Sequence, residues 1–340
     1  MSHPPFADLL ARGPLLALAP MQEVTDEAFW RVVHPYGGAD VYWTEYFRVH
    51  VDSTPESWIV DAIRHNPTGR PLVAQLIGND IAALIRTATF LMELPVVAID
   101  LNLGCPAPIV YRKCAGGGLL REINRVDAIL GALRDAIPIA FTVKTRLGFA
   151  SIEEFDRLLP IFARHGLDAL TVHGRTVTQS YRPPVHYDLI REAAAALPCP
   201  VLANGDVHSA AQAVDLLAST SVRGLMIGRG AIRNPWLFEQ IRHQMRGLPV
   251  VQPTGREVWA YIDRLWESQP CPGKPELVRC SRMKKFLNFI GEGVPAPFLD
   301  RIRRAETAVE FRAICADFLD HDRPMSLEPL RQDAPVPVST

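Results

Sequence analysis

One cysteine stands out as a candidate for acid chemistry. Cys105 follows the apolar run IDLNLG and precedes Pro106, so its thiol is presented on a loop at the end of a predicted strand. A thiol near its reference pKa of about 8.5 is mostly protonated at neutral pH and can donate a proton. Cys114 lies on the same loop but has no strand-end position. The sequence therefore indicates Cys105 as a general acid and Cys114 as a bystander.

A lysine and a histidine end two further apolar runs. Lys144 ends FTVK, and His173 ends LTVH. A lysine buried at a strand end needs an anionic or polar partner, and a cation suits the N1 and C2 carbonyl edge of a reduced flavin. The alternative is a structural ion pair with Glu45 or another acid. His173 could contact a phosphate or a substrate, or it could be a satisfied structural residue.

Two glycine-containing turns follow the last two apolar runs. They are Asn204-Gly205-Asp206 and Gly228-Arg229, the second of which precedes a predicted helix. Glycines let backbone N–H groups approach an anion closely, and a helix N-terminus adds a favourable dipole. The turns predict a site for a phosphorylated cofactor, with two ordinary tight turns as the alternative.

The elements that must position these residues recur along the chain. Short runs rich in β-branched and aromatic residues alternate with segments of helical spacing, which predicts an α/β fold of the (β/α)8 TIM-barrel type. Residues at the carboxyl ends of barrel strands face the active site, so the polar residues at those ends are site candidates. The eight runs are 15–21, 41–46, 71–76, 96–103, 140–145, 169–174, 200–207 and 224–230.

The pattern changes after the barrel repeats. We predict a barrel domain over residues 1–250, a helical C-terminal domain over 251–322 and a disordered tail over 323–340. The formal net charge of the chain is −1, but Arg279 to Arg304 contains seven basic and two acidic residues, a local charge of +5. This asymmetry favours a phosphate backbone as partner, and a solvated helix face is the alternative.

Composition limits the other classes of function. The six cysteines form no CxxC pair, which argues against a zinc site or a disulfide framework and favours a reducing cytoplasm. No apolar run is long enough for a membrane span, and the N-terminus lacks the pattern of an export signal. We expect a monomeric cytoplasmic protein that binds no metal and no membrane.

Together these motifs resemble the tRNA dihydrouridine synthase family over about residues 15–305. The resemblance rests on the combination and order of several motifs, because single ones are shared with other flavin barrels. The motifs are APMQEVTD, TEYFR, VAQLIG, DLNLGCPAP, AGGGLL, VKTRLG, TVHGRTVTQSY, ANGDV and MIGRGAIRNPW.

The resemblance implies FMN as the cofactor, NADPH as the reductant and tRNA as the partner. By position, Cys105 would be the proton donor for C5 of a uracil that receives a hydride at C6. The residues that would line the flavin ring or hold its phosphate are Pro20, Met21, Gln22, Gln75, Lys144, His173, Asn204, Gly205, Asp206, Gly228 and Arg229. The residues that would contact the uracil or the tRNA are Arg48, Asn102, Arg175, Tyr181, Lys284, Phe286 and Arg303.

The TEYFR and RMKKFLNFI segments are most similar to the bacterial members that modify uridine 16 of the D loop. One departure from the family pattern lies beside the cysteine: Tyr111 stands where relatives commonly have Asn, in YRKCAGGGLL. Two other functions stay open at this point. One is an FMN barrel that acts on a free pyrimidine, in the manner of dihydroorotate dehydrogenase, and the other is a tRNA-binding chaperone.

Overall fold

Eight parallel strands close into a barrel in the computed structural model, which describes residues 4–269 and 271–330. Each predicted apolar run overlaps one strand, so the predicted barrel is confirmed. The strands are nearly continuous in buried residues because helices cover parallel strands on the outer face. The strands are β1 (Leu15–Leu18), β2 (Val41–Val49), β3 (Leu72–Gly78), β4 (Ala98–Leu103), β5 (Ala140–Arg146), β6 (Ala169–His173), β7 (Val201–Asn204) and β8 (Gly224–Ile227).

Helices alternate with the strands and then continue without them. The α-helices are α1 (Phe6–Ala11), α2 (Glu27–Val33), α3 (Ser57–His65), α4 (Ile81–Met92), α5 (Pro108–Tyr111), α6 (Ile123–Ala136), α7 (Phe155–Arg164), α8 (Tyr187–Ala196), α9 (Ala210–Thr220), α10 (Arg229–Arg233), α11 (Leu237–Met245), α12 (Gly255–Ser268), α13 (Glu276–Ile290), α14 (Pro297–Ile302) and α15 (Ala308–Leu319). Short 3-10 helices lie at His34–Tyr36, Gly116–Arg121, Ile152–Glu154 and Gly291–Gly293.

The face of the strands that carries the hydrophobic cluster changes from apolar to polar along the strand direction. At the amino-terminal end, residues of α1 and of the strands form one apolar cluster, with Phe6 packed edge-on against Trp43 at 6.3 Å between ring centroids. Because side chains alternate with a period of two, the residue two positions further along lies on the same face. On four strands the pairs are Val73 and Gln75, Ala98 and Asp100, Ala169 and Thr171, and Leu202 and Asn204.

The chain forms two compact units. The first contains the barrel strands and consists of the chain up to Glu23 together with Ala39–Asp206 and Asp215–Ile227. The second consists of Val24–Gly38, Val207–Val214 and the chain from Gly228 onward. The second unit therefore extends beyond the helical domain predicted over 251–322, because it also includes α2, α10 and α11.

The second unit has its own aromatic core. Phe286 of α13 stacks on Phe29 of α2, with centroids 5.9 Å apart, and the hydroxyl of Tyr261 donates to the Ile232 carbonyl at 2.9 Å. Phe286 is buried, so the structure corrects its predicted role as a tRNA contact. Its apolar ring supports the helices instead.

The start of the predicted disordered tail has defined hydrogen bonds within the second unit. Pro324 forms an antiparallel bridge with Thr254, and the Met325 amide donates to the Pro253 carbonyl at 2.7 Å. The Leu330 amide donates to the Glu292 carbonyl at 2.7 Å. Disorder therefore does not describe residues 323–330, and the rest of the predicted tail, 331–340, lies outside the described residues. No helix within 4–269 and 271–330 has the length and apolarity that crossing a membrane requires.

Closure of the barrel between β8 and β1 predicts that position 224 does not tolerate a side chain. This glycine is in register with Leu15, and a Cβ atom at Gly224 would fall on the Leu15 carbonyl oxygen. Gly224→Ala should therefore lower the free energy of unfolding by about 1–3 kcal/mol, because backbone must move.

Gly131→Ala in α6 is the matched control. A Cβ atom there meets only the His165 ring, at 3.3 Å, and alanine favours a helix over glycine by up to about 1 kcal/mol. Urea and thermal unfolding of both variants test the prediction. Equal stability of the Gly224→Ala variant and the unsubstituted protein would contradict the close contact at the seam.

Candidate functional site

A buried carboxylate lies at the centre of the polar layer of the barrel. Asp100 of β4 is in register with Gln75 of β3 and Thr142 of β5. The Thr142 hydroxyl donates to one Asp100 oxygen at 2.5 Å, and the Gln75 side-chain amide donates to the other at 2.7 Å. Burial raises the pKa of Asp100 to about 6, and these two hydrogen bonds oppose that rise. Asp100 is therefore largely ionised at neutral pH and acts as an acceptor.

Asn102 connects this carboxylate to the loop that carries the cysteine. Its side-chain amide nitrogen donates to the Gln75 oxygen at 2.8 Å. Its side-chain oxygen accepts from the backbone amides of Gly104, at 3.0 Å, and Cys105, at 2.9 Å. The start of the loop is thus held by a side chain of the strand from which it departs.

Gly116 and Gly117, which follow Cys114, pack against Cys105. The Gly117 amide donates to the Cys105 carbonyl at 3.2 Å, and a Cβ atom at Gly117 would lie 2.8 Å from that oxygen. Tyr111, the departure noted in the sequence, packs edge-on against Phe149 with centroids 5.5 Å apart. The altered loop therefore has an aromatic anchor of its own, and it encloses Cys105.

The Cys105 thiol is partly buried and is not in a disulfide. Burial raises its pKa, and a backbone hydrogen bond from Ala107, an interaction with Tyr46 and the charges of Arg146 and Lys144 act in the opposite direction. Because the net effect is a raised pKa, the thiol holds its proton at neutral pH. That state is the one required of a proton donor.

Lys144 lies on β5 beside Asn102 in the strand register, two residues before the strand ends at Arg146. Burial lowers its pKa to about 8, and the nearby charge of Arg146 acts in the same direction. Its ammonium donates to the Asn204 side-chain oxygen at 3.1 Å. The charge of Asp100 acts on this pKa in the opposite direction, whereas Glu45 accepts a hydrogen bond from the Glu23 backbone amide. The structural pair between Lys144 and Glu45 is therefore absent from the part of the chain that the structure describes.

Arg146 was missed by the sequence analysis. It lies two residues after Lys144, on the same face of β5, and it is buried. Its guanidinium donates to the Gly104 carbonyl at 2.8 Å, to Thr176 at 2.9 Å and to Ser180 at 2.7 Å. It therefore ties the start of the cysteine loop to the loop after β6. The two-residue spacing from Lys144 is the signal that could have identified it.

Arg175 and Asp206 form a pair that spans two loops. Asp206 accepts from both terminal nitrogens of Arg175, and the Arg175 Nε donates to the Arg182 carbonyl at 2.7 Å. Arg175 is only 1% exposed. This burial corrects the expectation that Arg175 lies near RNA: its guanidinium braces the loop after β6. His173 contacts Arg175 at 3.4 Å, and its ring lies 6.4 Å from that of Tyr181.

The predicted residues after β1 and those after β8 belong to different compact units. Pro20, Met21 and Gln22 follow β1 and are partly buried, and the Gln22 side-chain oxygen is buried without a hydrogen-bond partner among the described residues. Gly228 precedes α10, and Arg229 begins it. That helix is only five residues long, which limits the dipole that the sequence analysis invoked.

Comparison with known proteins decides the family. The profile described as dihydrouridine synthase (Dus) matches residues 17–265. The chain is 31% identical over 313 residues to a protein of Neisseria meningitidis serogroup B named tRNA-dihydrouridine(16) synthase, covering 89% of this chain and 94% of the relative. The chain belongs to the dihydrouridine synthase family. It is therefore an enzyme, and the resemblance read from its motifs is confirmed.

A second relative agrees with this assignment, and one solved structure has a similar fold. A tRNA-dihydrouridine(16) synthase of Cupriavidus necator is 33% identical over 318 residues, covering 88% of this chain and 95% of the relative. The structure of histamine dehydrogenase from Rhizobium sp. 4-9 superposes with a TM-score of 0.53 at 12% identity, over 85% of this chain and 53% of that one. At this identity the superposition supports the barrel fold only.

The remaining predicted contacts of this dihydrouridine synthase lie at the surface. In the first unit, Arg48 is exposed with its guanidinium 5.9 Å from the centre of the Tyr46 ring, and Tyr181 is 36% exposed. In the second unit, Lys284 is partly exposed, and the exposed Arg303 donates to the Asn288 side-chain oxygen at 2.9 Å. These four side chains are accessible to a large substrate.

The raised pKa of Asp100 predicts how stability depends on pH. Folding raises this pKa from 3.8 to about 6, so the unfolded chain loses the proton first and stability falls as pH rises between these values. Asp100→Asn removes that penalty. The stability advantage of the variant should therefore grow by roughly 2–3 kcal/mol between pH 4 and pH 7.

Urea unfolding of both proteins at several pH values measures the effect. Thr87→Val is the control, because Thr87 is a buried hydroxyl on α4 that has no ionisable proton in this range. A stability difference between the Asp100→Asn variant and the unsubstituted enzyme that stays constant with pH would contradict the raised pKa.

Proposed function

We propose that this enzyme reduces uridine 16 in the D loop of tRNA to 5,6-dihydrouridine, with FMN as cofactor and NADPH as reductant. The observation that carries the proposal is the position of Cys105 on a loop whose backbone amide donates to Asn102, the residue that is in register with Lys144 on the next strand. Support for position 16 comes from the two relatives, each named tRNA-dihydrouridine(16) synthase.

The residues present fit a flavin. Lys144 has a neutral amide, Asn204, as its hydrogen-bond partner, which leaves its charge for the N1 and C2 carbonyl edge of the ring. The Gln22 side-chain oxygen needs a donor, and the N–H of an isoalloxazine is one. Gln75, Pro20 and Met21 would complete the contacts to the ring. The remaining residues that would hold the phosphate region are His173, Asn204, Gly205, Asp206, Gly228 and Arg229.

FMN, when bound, supplies a hydride to C6 of the uracil. The chain supplies the rest of the reaction. Asn102 has a second amide hydrogen beyond the one given to Gln75, and that hydrogen can orient the uracil. Cys105 gives its proton to C5, which completes the reduction of the C5–C6 bond, and the thiolate then regains a proton from solvent. Its raised pKa keeps the thiol protonated before the step and favours the return of a proton to the thiolate after it.

The tRNA must present an unstacked uridine. Extruding a base costs a few kcal/mol, which contacts to the RNA backbone offset. Lys284 and Arg303 would contribute such contacts from the second unit, and Arg48 and Tyr181 would contact the RNA from the first. Phe286 and Arg175 are left out of this set because both are buried.

Cys105→Ala tests the acid. The variant should bind FMN and oxidise NADPH at the normal rate, but dihydrouridine formation should fall by about 100-fold to 10,000-fold because C5 lacks a positioned proton donor. Mapping dihydrouridine in tRNA from a strain that lacks the enzyme, after treatment with each variant, measures the product. Cys114→Ala, on the same loop, is the control. Full product from the Cys105→Ala variant would remove the cysteine from its role.

Replacement of Lys284 and Arg303 together by Ala tests the basic surface. Each lost phosphate contact should lower the slope of log affinity against log salt by about one, while NADPH oxidation stays unchanged. Arg256→Ala is the matched control, because Asp320 and Asp322 already neutralise that guanidinium at 2.8 Å and 2.7 Å. An unchanged salt slope in the double variant would contradict an RNA contact at these residues.

A further inference from the structure

An uninterrupted line of side-chain hydrogen bonds runs from the barrel interior to the cysteine loop. It passes from Asp100 through Gln75 to Asn102, and it ends at the backbone amides of Gly104 and Cys105. Its bonds measure 2.7–3.0 Å, and Asp100, Gln75 and Asn102 are all buried. Because water does not reach these groups, each amide depends on its neighbours for its hydrogen bonds.

We propose that Asp100 is a positioning residue for Cys105, acting through the amide orientations of Gln75 and Asn102. This inference rests on the proposed function for the role of Cys105 and adds a residue that does not touch the substrate.

The two ends of the line determine its direction. An ionised carboxylate only accepts hydrogen bonds, so the Gln75 nitrogen must face Asp100 and its oxygen must face Asn102. At the other end, backbone amides only donate, so the oxygen of Asn102 must face the loop. Only one orientation of the two side-chain amides meets both requirements. Flipping either amide would place a donor opposite a donor or an acceptor opposite an acceptor. The second hydrogens of Gln75 and Asn102 then point away from the line and are free for cofactor and substrate.

The cost of this arrangement supports a role beyond packing. A buried carboxylate destabilises the barrel unless it is well hydrogen-bonded, and burial raises the pKa of Asp100 although its hydrogen bonds and the nearby charge of Lys144 oppose that rise. An apolar residue would fill the same layer without that cost. What the carboxylate adds is a fixed acceptor that neither a rotating hydroxyl nor an apolar group provides.

Asp100→Leu and Asp100→Asn in the FMN-loaded enzyme test the inference. Leucine removes the acceptor, so the loop should open and iodoacetamide should alkylate Cys105 about tenfold faster. Single-turnover dihydrouridine formation should fall by about 100-fold, the scale expected of a misplaced catalytic group. Asparagine offers its oxygen to Gln75 and its nitrogen to the Thr142 hydroxyl, so it should restore both rates to within about threefold of the unsubstituted enzyme.

Alkylation at the buried Cys199, Cys280 and Cys315, read by mass spectrometry, reports global opening in the same sample. If these three cysteines become reactive in the Asp100→Leu variant, Asp100→Ser is used in its place. The shorter serine side chain leaves Gln75 without its acceptor and introduces no apolar group. Thr87→Val is the control for loss of a buried hydroxyl elsewhere.

Two results would overturn the inference: alkylation of Cys105 unchanged in the variant that lacks the acceptor, or an asparagine variant as impaired as the leucine one. The alkylation rate does not depend on any reaction with RNA. If Cys105→Ala retains full activity, the proposed role of Cys105 as proton donor fails, while the positioning of the thiol is still measured separately by alkylation.

Discussion

Polar groups inside a closed barrel have no bulk water to satisfy them, and this constraint shapes the whole site. The eight strands enclose an apolar layer at one end, and on β3, β4, β6 and β7 a polar residue follows two positions further along the strand. Donors and acceptors in the polar layer must therefore find partners within the protein. Asp100, Gln75 and Asn102 meet this requirement in one defined arrangement, and the orientation of the cysteine loop follows from it.

Three charged groups lie in this interior, and each has a different set of hydrogen-bond partners. Asp100 is satisfied by two neutral donors, and Arg146 is satisfied by three backbone carbonyls. Lys144 has a single neutral partner, Asn204, and burial lowers its pKa to about 8. The first two groups are structurally complete without a ligand. Lys144 makes the fewest hydrogen bonds of the three, and the proposed flavin would add an acceptor beside it.

The barrel and the strand-end residues were predictable from the sequence, because the two-residue period and the order of the motifs depend only on local pattern. Glu45 illustrates what local pattern misses: it ends a predicted run as Lys144 does, yet its partner is the backbone of Glu23. The burial of Arg175 and Phe286 also depends on partners distant in sequence, Asp206 and Phe29. A basic or aromatic residue in a recognised motif can thus be read as a surface contact when long-range packing has buried it.

The most direct test of the whole account is the reaction of the NADPH-reduced enzyme with three acceptors: tRNA that lacks dihydrouridine, free uridine and orotate. The account predicts that only the tRNA reoxidises the enzyme rapidly and that nucleotide 16 alone gains the mass of a hydrogen pair. Rapid reoxidation by free uridine or orotate, with no change in the tRNA, would contradict it.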